Sequence, residues 1–298
     1  MLVLVPLAGL LLLSGPDTAR AWRWTVVSVL LSALWLVLSQ GIVEQVANAM
    51  AILMTGAFVV LSASGRRGLF GRASLAVLLA AGGVAIWCVV WGIGWADLRI
   101  ALTRDWWAVW RDLAANPRFG PRSLDAQNLL QRIAEAGASI ARLYPARLML
   151  SGILGLVVAG NWVEMVVGRP VGRSAERLGT FRFTDHLVWL VILAVLVLLL
   201  PSLDAVNRLA DQYPLADLML YTVRYWSTVA ENVLVICAAL YAVRGAAVLS
   251  RFLRPGTAVL LIVIATVFLL PFALLGLVLL GLADTWIDFR RPREIVAK

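Results

Sequence analysis

The sequence predicts an all-α, polytopic transmembrane helix bundle, and three observations carry that prediction. Hydrophobic residues make up 62% of the 298-residue chain and charged ones only 14%, against roughly 25% charged in a soluble domain. Apolar runs of membrane-spanning length recur from one end to the other. Arginine supplies almost all of the +9 net charge and gathers between those runs, as expected of residues that set topology and meet headgroups. The runs amount to about eight apolar spans, with an amphipathic, interfacial helix pair between spans four and five. The expected organisation is 1–95 as N-terminal transmembrane helices, 96–146 as the amphipathic segment, and 147–298 as C-terminal transmembrane helices with a basic tail, all in a single membrane domain.

The first run, Met1 to Leu13, has neither a basic leader nor an Ala-x-Ala cleavage site and reads as a retained helix. It carries Pro6 and stops at Ser14-Gly15-Pro16, so it is either a half-span or a tilted lead-in helix. Arg20 and Arg23 precede the second span, Trp24 to Ser39, and Gln40-Gly41 leads into the third, Ile42 to Ser62. On that third span Glu44 and Asn48 share a face, while Ala47, Ala51 and Thr55 form a seam of small residues. The fourth span, Ala73 to Trp95, places Trp87, Trp91 and Trp95 at its end, in the interface belt.

From Asp97 to Tyr144 charge alternates with Leu, Ile and Trp at helical spacing. NPRFGP divides this stretch into two amphipathic helices, which either lie in the headgroup layer or cap the bundle and bind a partner. Pro145 opens the fifth span, where Ser151, Gly155 and Ala159 repeat every four residues and Asn161 and Glu164 share a face. Thr184 or Asp185 is suited to cap the sixth span. The segment from Pro214 to Pro255 follows; about forty residues of helix would reach roughly 60 Å, twice the hydrocarbon core. Arg224, Thr228 and Glu231 form a stripe on it, with Asn232 beside them. The last run, Ala258 to Leu282, has Pro271 in its middle, which predicts a kink or a break. With eight spans, the loops carrying Arg20, Arg23, Arg66, Arg67, Arg72, Arg169, Arg173, Arg177, Arg182, Arg251 and Arg254 fall on one side, and the equally arginine-rich amphipathic segment and basic tail on the other; charge therefore leaves the orientation open, and the short arginine loops are read as cytoplasmic.

No catalytic signature is present: no His-Glu-x-x-His, no Gly-x-Ser-x-Gly, and no Walker-type Gly-x-x-x-x-Gly-Lys. One histidine, His186, excludes a His-rich zinc site, and Cys88 and Cys237 read as packing residues. The expectation is a protein that is not an enzyme and has no metal or cofactor. What remains is a set of intramembrane polar residues: Glu231, Asn232, Arg224, Glu164, Asn161, Glu44 and Asn48. They either line a solute pocket with Trp162, Tyr225 and Trp226 as walls, or pair with each other to hold helices together.

The C-terminal third, with FRFTDHLVWL, then ENVLVICAALYAVRGAAVLSRFLRP, then LLGLVLLGLADTWIDFRRPR, resembles the YybS-like family of predicted bacterial integral membrane proteins, a domain of unknown function. The likeness is sharpest over Phe181 to Arg293, above all at Asn232, Gly245 and GLADTWIDFRR. That family is grouped with the substrate-binding S components of energy-coupling-factor vitamin transporters, which bind a small solute in a six-helix bundle and dock on a membrane scaffold with two ATPases. The resemblance implies a small-molecule-binding or uptake subunit of the cell (inner) membrane, with a solute, a scaffold and ATPase subunits as partners besides lipid. This chain departs from the pattern in having more apolar runs and the insert from Asp97 to Tyr144. The alternative is a non-transporting scaffold or assembly protein that acts through the amphipathic segment and the basic tail.

Overall fold

The computed structural model describes residues 2–15, 17–39, 41–63, 68–115, 124–168, 185–200, 216–252 and 270–287. Among them every regular element is an α-helix and there is no strand. Ten helices follow in order: α1 Leu4–Ser14, α2 Ala19–Leu38, α3 Ile42–Ala63, α4 Leu69–Val90, α5 Trp95–Ala115, α6 Leu124–Arg142, α7 Tyr144–Val167, α8 Leu187–Leu199, α9 Ala216–Phe252 and α10 Leu270–Ile287. The chain divides into two compact units, Met1–Ala175 and Glu176–Lys298.

In the first unit α1, α3 and α4 all pack on α7, whose small residues let backbones come close. A Cβ placed on Gly152 would stand 3.1 Å from Met54 Sδ of α3 and 3.2 Å from Val77 Cγ2 of α4. Gly155 lies directly under the Leu2 carbonyl, just ahead of α1, and Gly160 faces Leu69 of α4. Tyr144 Oη donates to the Val43 carbonyl at 3.3 Å, so α3 and α7 start at the same end and run the same way. α4 runs against both, with Gly83 opposite Leu53 and the Arg72 guanidinium 5.8 Å from the centre of the Phe58 ring. Since Leu2 meets the middle of α7, α1 begins halfway through the bundle. Its 11 residues rise about 16 Å, half of a hydrocarbon core, so α1 is too short to cross one.

α2 shows what surrounds this unit. Its protein-facing stripe is Ala21, Thr25, Ser28 and Ser32, all buried. Its outward face carries exposed Leu30, Leu34, Trp35, Val37 and Leu38. A helix that hides hydroxyls and displays large apolar side chains is arranged for lipid, since a monomer in water rarely exposes such a continuous apolar surface. The buried hydroxyls bond within the helix, Thr25 Oγ1 to the Ala21 carbonyl at 2.9 Å and Ser28 Oγ to the Thr25 carbonyl at 3.0 Å.

The small-residue seam on α3 is already occupied. Ala51 and Thr55 are buried, and a Cβ on Gly9 of α1 would stand 2.8 Å from Thr55 Cγ2. The expected run to Trp95 is cut short. α4 ends in a Schellman turn, with Gly92 at φ 65°, Gly92 N bonding Val89 O at 3.2 Å and Ile93 N bonding Cys88 O at 2.9 Å. α5 restarts at once, its Asp97 carboxylate accepting from Gly94 N at 2.9 Å as the return half of a capping box. α5 and α6 then form a hairpin, joined where Trp106 Nε1 donates to the Ile133 carbonyl at 3.0 Å.

Five helices are long and apolar enough to cross a membrane: Ala19–Leu38, Ile42–Ala63, Leu69–Val90, Tyr144–Val167 and the Tyr225–Ser250 part of α9. This makes the chain a multi-pass membrane protein. The remaining apolar helices, Leu4–Ser14, Leu187–Leu199 and Phe272–Ile287, are shorter, so the described residues hold fewer full spans than the sequence suggested. α9 is continuous over 37 residues, about 55 Å, and overshoots its span as expected. Pro271 lies in the first turn of α10, where a missing N–H costs no helical bond; the earlier part of that run, 258–269, lies outside the described residues.

Arg20 and Arg23 stand in the first turns of α2, next to Trp24, whose ring meets Trp162 of α7 edge-on at 5.1 Å. Arg72 is in the first turn of α4, and α7 closes with Gly168 at the same end. Arg20, Arg23 and Arg72 therefore lie at the end of the first unit where α7 closes, while Tyr144 and Glu44 lie at the other.

Candidate functional site

The second unit contains an ionic centre inside its helix packing. Arg244 sits on α9, within the stretch apolar enough to span a membrane, and is only 4% exposed. Its Nε donates to Asp284 Oδ2 of α10 at 2.9 Å, and its Nη2 to the Asp284 carbonyl at 3.1 Å. Its Nη1 donates to Asp185 Oδ1, ahead of α8, at 2.9 Å. One guanidinium thus ties together the three described helices of the unit.

Two glycines make this geometry reachable. Gly245, next to Arg244, lies against the Leu277 carbonyl, and Gly281, one turn before Asp284, lies against the Tyr241 carbonyl. With no side chain between them, α9 and α10 touch backbone to backbone in opposite directions. That brings the short aspartate side chain within reach of Nε. Tyr241, 1% exposed, closes the centre one turn earlier, with its hydroxyl toward Thr285.

The two carboxylates are unequal. The Asp284 side chain is 1% exposed and that of Asp185 is 65% exposed. Hydrogen bonds between ionised groups are the strong kind, and removing one partner of a buried pair costs about 3–5 kcal/mol because a bare charge stays behind. An exposed pair is worth about 0–1 kcal/mol. Asp284 is therefore the fixed counter-ion and Asp185 the exchangeable one. With two carboxylates on one guanidinium the centre carries a net negative charge, and its open side is Asp185. The α8 start was expected to use Thr184 or Asp185 as a cap. Thr184 lies outside the described residues; the Asp185 carboxylate is drawn to Arg244, and the cap position falls to exposed His186, which makes no side-chain capping bond.

The seven polar residues singled out in the sequence are spread over both units. Glu44 and Asn48 lie at the start of α3; Asn161 and Glu164 lie at the far end of α7, roughly 20–30 Å away along a 1.5 Å rise. Trp162 packs on Trp24, and Tyr225 stacks edge-on with Trp226 at 5.9 Å on an exposed face. Glu231 and Asn232 lie thirteen and twelve residues before Arg244, about 20 Å along α9. Asn232 is 8% exposed, and its Nδ2 donates to the Thr228 carbonyl at 2.9 Å. The side chain of Arg224 lies outside the described residues. Sequence reasoning missed Arg244 and Asp284. The available signal was a charge next to a glycine inside an apolar run, repeated as Arg244-Gly245 and as Gly281 with Asp284 one turn on.

Comparison with protein-family models, with curated proteins and with solved structures finds no match.

Proposed function

We propose that this chain is a small-solute-binding or uptake subunit of a bacterial inner membrane, and that the Arg244 centre is its working part. The observation that carries the reading is the unequal sharing of one buried guanidinium between Asp284 and the exposed Asp185. If the centre only held helices together, apolar packing would do so as well or better. Ionisable groups kept within apolar helices mark ligand and ion pathways by default. Asp185 offers its carboxylate to a solute bearing a donor group, and release of Asp185 from Arg244 would unpin the start of α8 while Asp284 keeps α9 and α10 together. Glu231 and Asn232 supply polar positions further along α9. The resemblance of Phe181 to Arg293 to the YybS-like family supports the same reading, as does the grouping of that family with S components, which dock on a scaffold and ATPases. In this reading the arginine-rich end of the first unit is cytoplasmic, and the amphipathic α5–α6 hairpin lies in the headgroup layer.

The test is mass spectrometry of the tagged protein purified gently from its own membrane, reading small molecules and proteins together. Asp185→Asn should fold normally and lose at least ten-fold of a stoichiometric solute, as should Glu231→Gln or Asn232→Ala. Arg244→Leu should lose the folded protein itself. Recovery of other envelope proteins with no solute from wild type would refute the proposal. It would favour the scaffold reading, for which the preformed hairpin of α5 and α6 is the specific observation. Under that reading, deleting 97–144 removes the partners and leaves the bundle folded.

A further inference from the structure

The ionic centre of the second unit lies at a height where hydrocarbon is expected, and one side of it is open. The contacts of Gly245 with the Leu277 carbonyl and of Gly281 with the Tyr241 carbonyl fix the register of the antiparallel helices α9 and α10. By that register Asp284 stands level with Ala238 of α9, and Ile287, the last residue of α10, with Val235. The membrane-length part of α9 runs from Tyr225 to Ser250. Ala238 is thirteen residues from one end of it and twelve from the other, about 18–20 Å from each. The exposed Tyr225–Trp226 pair suits an interface belt at the first end, and Arg251 follows the second.

Two kinds of surface meet at this height. Val243 of α9 and Leu279 of α10, which the register makes level with each other, and Trp286 of α10 are all exposed, as suits side chains against lipid. Asp185 stands at the height of Asp284, because both carboxylates accept from nitrogens of one guanidinium. Yet the Asp185 side chain is 65% exposed. His186 beside it is exposed too, and the start of α8 has no side-chain cap. An exposed carboxylate and the N–H groups of an uncapped helix start are both costly in hydrocarbon. Helix ends at membrane depth are tolerated where they line a water-filled cavity.

We propose that a water-filled opening reaches the middle of the membrane at Asp185 and the start of α8, and that it gives a water-borne solute access to Arg244. The opening lies on the α8 side, since the level positions on α9 and α10 are apolar. The wet opening stands on the geometry alone; only its use rests on the reading of Arg244 as a solute site. For that reading it names the class of solute: a hydrophilic compound with a positive charge or a donor group, arriving through water and not from the lipid phase.

The test uses the full-length protein in liposomes. Single spin labels are attached at His186→Cys, Val243→Cys or Leu279→Cys in a chain carrying Cys88→Ala and Cys237→Ala. Collision with a water-soluble nickel chelate is compared with collision with oxygen, which concentrates in lipid. The nickel-to-oxygen ratio should be several-fold higher at 186 than at 243 and 279. A low ratio at all three positions overturns the proposal, because Asp185 is then dry. A high ratio at all three overturns it as well, because the centre then lies in the headgroup layer. Hydrogen exchange of the unsubstituted protein gives the same reading without a variant: the amides of 186 and 187 should exchange fast while those of 241–245 stay protected, and slow exchange at both overturns the opening. A wet α8 start with no solute recovered from the native membrane upholds the opening and removes the solute reading. A dry one removes the opening and leaves the solute reading to its own test.

Discussion

The backbone contact between α9 and α10 gives the sharpest prediction. In Gly245→Ala the new Cβ would lie 2.8 Å from the Leu277 carbonyl carbon and 3.1 Å from Gly281 N. Comfortable contact needs about 3.5–4.0 Å, and neither neighbour is a side-chain tip that can swing away. The helices must therefore part by roughly 1 Å. That shift would stretch the 2.9 Å bond from Arg244 Nε to Asp284 Oδ2 to about 3.9 Å, beyond hydrogen-bond range. Overpacking of this kind costs about 1–3 kcal/mol, and about 2 kcal/mol corresponds to a fall of roughly 4 to 8 °C in the unfolding midpoint. Gly276→Ala on the facing helix, α10, is the control, because a Cβ there meets nothing within 4 Å. It should be neutral or raise stability by about 0.5–1 kcal/mol. The assay is thermal unfolding in detergent together with maleimide labelling of Cys237, which is 2% exposed in the native protein. Gly245→Ala should unfold earlier and label faster. If the two alanine variants behave alike, the close-contact argument is wrong, and with it the account of how Asp284 reaches Arg244.

Other outcomes follow from single groups. Ser32 is buried on α2 with an Oγ that has no partner among the described residues, so Ser32→Ala should stabilise or leave unchanged the unfolding midpoint, by up to about 1 kcal/mol; a clear loss would reveal a partner for that hydroxyl. Trp106→Phe keeps an aromatic ring but removes the donor to Ile133 O together with half of the indole. It should cost about 1 kcal/mol and show as faster amide exchange in 128–142 without faster exchange in α3 or α7. Asp185→Asn, whose pair is exposed, should cost under about 1 kcal/mol in unfolding assays; a cost as large as that of Asp284→Asn would contradict the ranking of the two carboxylates.

How much of this was legible before the structure depends on what each signal is made of. Helix existence was legible because it is a matter of local composition: the apolar runs around α2, α3, α4 and α7 appear as helices within a few residues of where hydropathy puts them. The shortness of α1 was legible too, since its length and the Ser14-Gly15-Pro16 stop are local facts. The end of α4 was not. Trp91 to Trp95 is as apolar as the helix before it, and only the positive φ at Gly92 stops the run. The ionic centre was least legible, for a physical reason. Arg244 and Asp284 are forty residues apart, and Asp284 looks like an interfacial residue at the end of a span. A helix end counts as interface only if no neighbour covers it. Here the glycine crossing lets α9 cover it, and Asp284 is 2% exposed in a place where hydropathy alone would wet it. The reverse holds for Glu231, the charge deepest in its own helix by sequence, which is only half-buried. Depth along a helix and depth within the packing are different coordinates. In a bundle held by glycine contacts the second is fixed by which backbones touch, so a glycine one residue or one turn from a charge, on each of two apolar runs, is the better guide to where a buried pair forms.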